Sequence, residues 1–195
     1  MKLKSIFCSV FISCFLVNIG GTSAQVNEQA YFKIDTDIAA PGYQGKTSPC
    51  GIGANKNVGF AVYVKKFDQL RGFSVDFTWD GTKATFSDVY SGTEIVDDDI
   101  YINGQYITMA AEENILGSVT GILVADEEGH YTEDFAKLGG DAAASDEYGL
   151  IYFFVLKTGD SFLTTDRLVV TANITLGNDS GVEKILGKRK FYVNS

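Results

Sequence analysis

Acid–base chemistry in this chain would have to come from carboxylates. The 195 residues include 25 Asp and Glu, 16 Lys and Arg, and a single histidine, His130. A hydrolytic triad needs a histidine base beside a nucleophile. His130 ends the run Asp126-Glu127-Glu128-Gly129-His130, which reads as a solvated loop, and no Gly-x-Ser-x-Gly elbow precedes a helix. Paired carboxylates would suffice for glycoside hydrolysis. Sugar-cleaving clefts of sandwich folds are lined by several tryptophans, whereas the one tryptophan here, Trp79, alternates with Phe77 on an apolar strand face. No catalytic residue is assigned, and the chain reads as a non-enzyme.

Carboxylates converging from loops also suit calcium, which takes six to eight oxygens. Residues 126–147 carry eight acids against Lys137 alone, Asp97-Asp98-Asp99 is a second cluster, and Asp35 with Asp37 a third. None has EF-hand spacing. Calcium binding and plain solvation of acidic loops both remain open, so metal ligands stay unassigned. Tyr43, Tyr90, Tyr101, Tyr106 and Tyr131 lie in or near loops and are of the type that stacks on sugars. The competing reading buries each ring and leaves its hydroxyl wet. A formal charge of −9 excludes nucleic acid as a partner, because phosphate binding needs clustered Lys and Arg.

Residues 1–24 read as a secretory signal peptide. Lys2 and Lys4 precede an apolar run from Ile6 to Ile19, and Gly20-Gly21-Thr22-Ser23-Ala24 is a small-residue cleavage region ending at Ala24. The run is too short for a transmembrane helix. The expected product is secreted or held at the cell surface. Cleavage removes Cys8 and Cys14, which leaves Cys50 alone. A secreted chain with one cysteine has no internal disulfide framework. Cys50 reads as a half-buried loop residue or as one half of an intermolecular bridge.

The elements that would position any site are strands. Period-two alternation puts every second side chain on one sheet face. Phe32 and Ile34, then Val58 to Val64, then Phe73, Val75, Phe77 and Trp79 show it, as do Leu168, Val170, Ala172 and Ile174. Leu150 to Leu156 is continuously apolar and short, which reads as a central strand buried on both faces. Val119–Val124 reads as a strand as well. Asp80-Gly81, Asn103-Gly104 and the Gly177–Gly181 run supply turn chemistry. Residues 39–57 and 126–147 read as long loops, the second with a short helix over 131–138 capped by Thr132. The expected architecture is all-β: a jelly-roll sandwich of about nine strands in one domain, residues 25–195.

Specific runs carry a resemblance. Leu70-Arg71-Gly72-Phe73-Ser74-Val75-Asp76-Phe77-Thr78-Trp79-Asp80, the preceding Val58–Val64 strand, and Gly149–Leu156 resemble strand signatures of bacterial cohesin domains. Ile34–Gln44 resembles the lead-in of one branch of cohesin-like secreted proteins, and the strands at 168–176 and 190–193 fall where that family has theirs. The resemblance implies a nine-stranded jelly roll that binds a protein partner, dockerin-like or other, through one sheet face. Dockerins are small calcium-loaded helical modules. On this chain the implied face positions are Gly72, Ser74, Asp76 and Thr78. The alternative is a carbohydrate-binding or adhesive surface module that takes polysaccharide.

Overall fold

The computed structural model describes residues 26–195 apart from 110–112, 164, 179 and 182. The expected signal peptide, 1–24, lies outside the described residues. In chain order the elements are β1 (Tyr31–Asp35), β2 (Asn57–Lys65), β3 (Gly72–Trp79), β4 (Ala84–Ser91), the one-turn helix α1 (Glu94–Asp97), β5 (Ile100–Ile102), β6 (Gln105–Ile107), β7 (Val119–Glu127), β8 (His130–Lys137), β9 (Gly149–Thr158), β10 (Arg167–Gly177) and β11 (Glu183–Asn194).

Nine of these strands form two facing antiparallel sheets. One has the order β1-β2-β9-β4 and the other β11-β10-β3-β8-β7. The remaining two, β5 and β6, pair only with each other. This is the expected jelly-roll sandwich. The alternating strands meet face to face, and the layer between them is aromatic. Phe77 of β3 stacks on Phe154 of β9 with ring centroids 4.2 Å apart, and Phe86 of β4 stacks on Tyr131 of β8 at 4.8 Å. Trp79 is core, and its indole N–H donates to the Ala84 carbonyl at 2.8 Å.

The run at 150–156 is central, as its composition predicts: β9 lies between β2 and β4 and is buried on both faces. Its outward side has a cover of its own. The β5–β6 hairpin and α1 lay Ile95, Ile100, Ile102 and Ile107 against Ala61, Tyr63, Phe153 and Val155. Asn103 and Gly104 form the hairpin's two-residue turn at φ 51° and 87°, the left-handed conformation that this residue pair tolerates best.

Three sequence expectations need correction. Residues 131–138 are not helical; 130–137 are the strand β8. Tyr131 and Phe135 are four apart, which fits one helix face or one strand face equally. The residue between them decides it, because Glu133 also points inward and accepts hydrogen bonds from the hydroxyls of Tyr131 (2.7 Å) and Tyr152 (3.2 Å). Residues 126–147 are accordingly not one loop. Their first half is a β7–β8 hairpin that turns at Glu128 and Gly129, where Gly129 has φ 80°. Cys50 is exposed rather than half-buried.

The connection from 36 to 56 is irregular, and Asp35 organises its first half. That side chain is 1% exposed, and its carboxylate accepts from the backbone N–H groups of Asp37 (2.8 Å), Gly45 (2.9 Å) and Gln44. Asp37 in turn pairs with Lys46. The Asp35/Asp37 cluster thus spends its oxygens on the protein's own donors. Among the described residues, no three His, Cys, Asp or Glu side chains gather into a cation site, and no helix is long and apolar enough to cross a membrane.

Candidate functional site

The outer face of the five-stranded sheet is open, whereas α1 and the β5–β6 hairpin pack over the other sheet. Strand β3 runs down the middle of the open face. Its inward residues Phe73, Val75, Phe77 and Trp79 are core, so parity sends Gly72, Ser74, Asp76 and Thr78 outward. All four expected positions therefore lie on the outer face.

Register supplies their neighbours. Thr171, Asn173, Thr175 and Gly177 of β10 flank Thr78, Asp76, Ser74 and Gly72 on one side. His130, Thr132, Asp134 and Ala136 of β8 flank the same residues on the other. The centre is thus a flat bed of short hydroxyls and amides. A shallow groove of about 340 Å³ opens at the Gly72 end, lined by Ser74, Asp134, Thr175 and Glu183 among others. Gly72 itself is there for a steric reason. A Cβ at that position would lie 2.5 Å from the Phe135 carbonyl oxygen.

Asp76, His130 and Thr132 form the one polar knot on this bed. His130 Nε2 lies 3.0 Å from Asp76 Oδ1 and 2.9 Å from Thr132 Oγ1, and the Thr132 hydroxyl is 3.4 Å from the same Asp76 oxygen. His130 is therefore not the solvated loop residue that the sequence suggests, but the first residue of β8, paired across to β3. The three types invite comparison with a hydrolytic triad, and the geometry does not fit. A triad uses one imidazole nitrogen for the carboxylate and the other for the nucleophile. Here both partners converge on Nε2. The knot fixes the side chains of a surface instead.

The edges of the face differ from its centre. On β7, Ile122, Leu123 and Val124 are 71%, 55% and 58% exposed. Opposite strands of a sandwich cover one another, as the stacking of Phe86 on Tyr131 shows for β4 and β8, and β7 lies beyond the last covered strand. Ile122 pairs with Asp134 and thus points out on the open face. At the other edge, β11 places Ile185, Lys188 and Lys190 beside Thr175, Asn173 and Thr171. The run Gly121-Ile122-Leu123-Val124-Ala125 lacks alternation just as the buried run at 150–156 does, so the sequence alone does not separate this exposed edge strand from the central one.

The tyrosines separate into two groups. Tyr131 is buried in the core, while Tyr43 packs on Tyr63 and Tyr148 and Tyr90 packs on Phe153. Tyr101 and Tyr106 are exposed and adjacent on the β5–β6 hairpin, with centroids 4.8 Å apart.

Neither protein-family models nor curated proteins match the chain in sequence. Solved structures do match in shape. The sixth cohesin of scaffoldin B from Acetivibrio cellulolyticus, solved in complex with a Cel5 dockerin mutant, aligns at 12% identity and TM-score 0.52 over 85% of this chain and 97% of that one. A cohesin module of a family 33 glycoside hydrolase from Clostridium perfringens aligns at 10% identity and 0.52, over 87% and 98%. A type II cohesin from the cellulosome of A. cellulolyticus aligns at 11% and 0.52, over 85% and 95%. With its order of nine sandwich strands and near-complete coverage of these modules, the chain has a cohesin-like fold.

Proposed function

We propose that this chain is a secreted, non-catalytic recognition domain that spans residues 25–195 and binds a protein partner through the open face of its five-stranded sheet. Ser74, Asp76 and Thr78 form the centre of the contact, with Gly72 keeping the backbone flat. The observation that carries the reading is the asymmetry of the two sheets. One outer face is covered, and the other offers a polar bed with an apolar rim at Ile122. Protein interfaces need such apolar patches beside satisfied polar groups. That similarly folded cohesins have been solved in complex with dockerins makes a dockerin-like helical module the first partner to test. The signal peptide ending at Ala24 would deliver it outside the cell.

The test is a pull-down from the secreted and surface fraction of the source organism, with and without calcium chelator. The bait is compared with a Ser74→Ala/Asp76→Ala/Thr78→Ala variant. Capture by the wild type and loss by the variant supports the face. Equal capture by both moves the contact elsewhere. The second reading, polysaccharide binding, draws on the exposed Tyr101/Tyr106 pair. Retention on insoluble polysaccharide that a Tyr101→Ala/Tyr106→Ala variant loses would favour it.

A further inference from the structure

The two edges of the five-stranded sheet complement one another. At one edge, β7 pairs only with β8 and presents the apolar run Ile122–Val124, followed by Asp126, Glu127 and Glu128. At the other, β11 from 183 to 192 pairs only with β10 and presents exposed Ile185, followed by Lys188, Arg189 and Lys190. Among the described residues, none of these three acids or three bases makes an ion pair. A groove of about 270 Å³ runs beside β11, lined by Lys33, Thr47, Lys188, Arg189 and Lys190. The groove is basic although the chain's formal charge is −9.

Direction agrees with this pattern. Four antiparallel steps separate β11 from β7, so the two run parallel within the sheet. A second copy set beside the first, edge to edge, therefore brings its β11 alongside β7 in parallel. With Ile122 placed beside Ile185, Leu123 meets Leu186, Asp126 meets Arg189 and Glu127 meets Lys190. Both strands also carry a register irregularity inside this stretch, between Leu123 and Ala125 on β7 and opposite Asn173–Thr175 on β11.

We infer that the partner of these edges is a second copy of this chain, joined head to tail, β7 of one copy to β11 of the next. Open strand edges are templates for such pairing. Opposite charges set the register and disfavour like edges, since β7 against β7 or β11 against β11 joins two surfaces of the same sign. The contact is heterologous, so it leaves one free edge of each kind and propagates.

Sedimentation velocity on the full chain tests this. The weight-average mass should rise with concentration at low salt, and fall back to the monomer at about 1 M salt, where screening shortens to ~3 Å. An acid-edge variant, Asp126→Lys/Glu127→Lys, should be monomeric, as should a basic-edge variant, Arg189→Glu/Lys190→Glu. Mixed, the two should associate again, through dimers into alternating larger species, because the intact β11 of one meets the intact β7 of the other and the two reversed edges are again of opposite sign. All four positions are exposed, so circular dichroism should match the wild type. A wild type that stays monomeric at every concentration overturns the proposal. So does self-association of either variant alone, or the absence of association in the mixture.

Discussion

Raising the pH above 10 should unfold this protein in one cooperative step, and three tyrosines set its size. The hydroxyl of Tyr152 is held well above the usual value of 10, first by burial, then by Tyr131 and Glu133 close by. Burial, followed by its hydrogen bond to Glu133, does the same for Tyr131. For Tyr63 the causes are burial and then Glu113, whose carboxylate accepts its hydroxyl at 3.1 Å. These side chains are 0%, 5% and 2% exposed. A group whose pKa rises on folding keeps its proton in the native state while the unfolded chain loses it. Its contribution is therefore complete below pH 10 and is lost as pH climbs from 10 toward the folded value. At pH 11 each tyrosine costs about 1.4 kcal/mol, and the three together about 4 kcal/mol. By pH 12 the sum is about 8 kcal/mol, comparable to the whole stability of an ordinary domain at ~5–15 kcal/mol. Tyr90 and Tyr148, pushed up to about 12 mainly by burial, act in the same direction but are part-exposed and left out of the sum. The assay follows near-ultraviolet tyrosinate absorbance and circular dichroism on the same samples. Both should change together between about pH 11 and 12. Tyr152→Phe should flatten the dependence of stability on pH above 10 by about a third. Release of all the tyrosine protons around pH 10 with the dichroism unchanged would refute the assignment of these hydroxyls to the interior.

Gly72→Ala should cost about 1–3 kcal/mol, because the new methyl meets the Phe135 carbonyl and neither backbone can retreat; thermal melting reads it as a drop of about 2–4 °C per kcal/mol. Ile122→Asp on the exposed rim should leave stability within about 0.5 kcal/mol of wild type yet weaken partner capture, a split that melting and pull-down together measure. Asp35→Ala strips three backbone amides of their acceptor and should cost about 2–5 kcal/mol, with the segment 36–46 becoming the first site of limited proteolysis. Phe154→Ala, which removes the ring stacked on Phe77, should cost about 3–5 kcal/mol in urea unfolding.

Strands that alternate cleanly were legible in advance, and so was the side they expose. Phe73 to Trp79 marks both the inner and the outer row of β3, and the uninterrupted run at 150–156 marks β9 as central. Strand β8 was hidden because its middle inward residue, between Tyr131 and Phe135, is Glu133. A carboxylate that serves two tyrosine hydroxyls breaks the apolar pattern without breaking the strand. The neighbours of Asp76 were not legible either. Which strands flank β3 depends on pairings across tens of residues, and nothing local to His130 or Asn173 announces them. The exposed rim at Ile122–Val124 failed for a related reason. Apolar composition says that a residue gains from burial, not that a strand of the opposite sheet extends far enough to provide it.

The two-sided burial of β9 also bears on how the chain reaches this structure. Its partner β2 is about a hundred residues earlier, Val58 lying opposite Leu156. Its outward cover, α1 and the β5–β6 hairpin, is made from residues between the two. Such distant pairings are slow, in the range of milliseconds to seconds for sandwich topologies. Until β9 arrives, Phe60 lacks its contact with Phe154, and the hairpin isoleucines lack Phe153 and Val155. Completion of the four-stranded sheet is then the late step of folding, and the amide protons of Ile151–Leu156 should be the last to exchange with solvent, at the free energy of global unfolding.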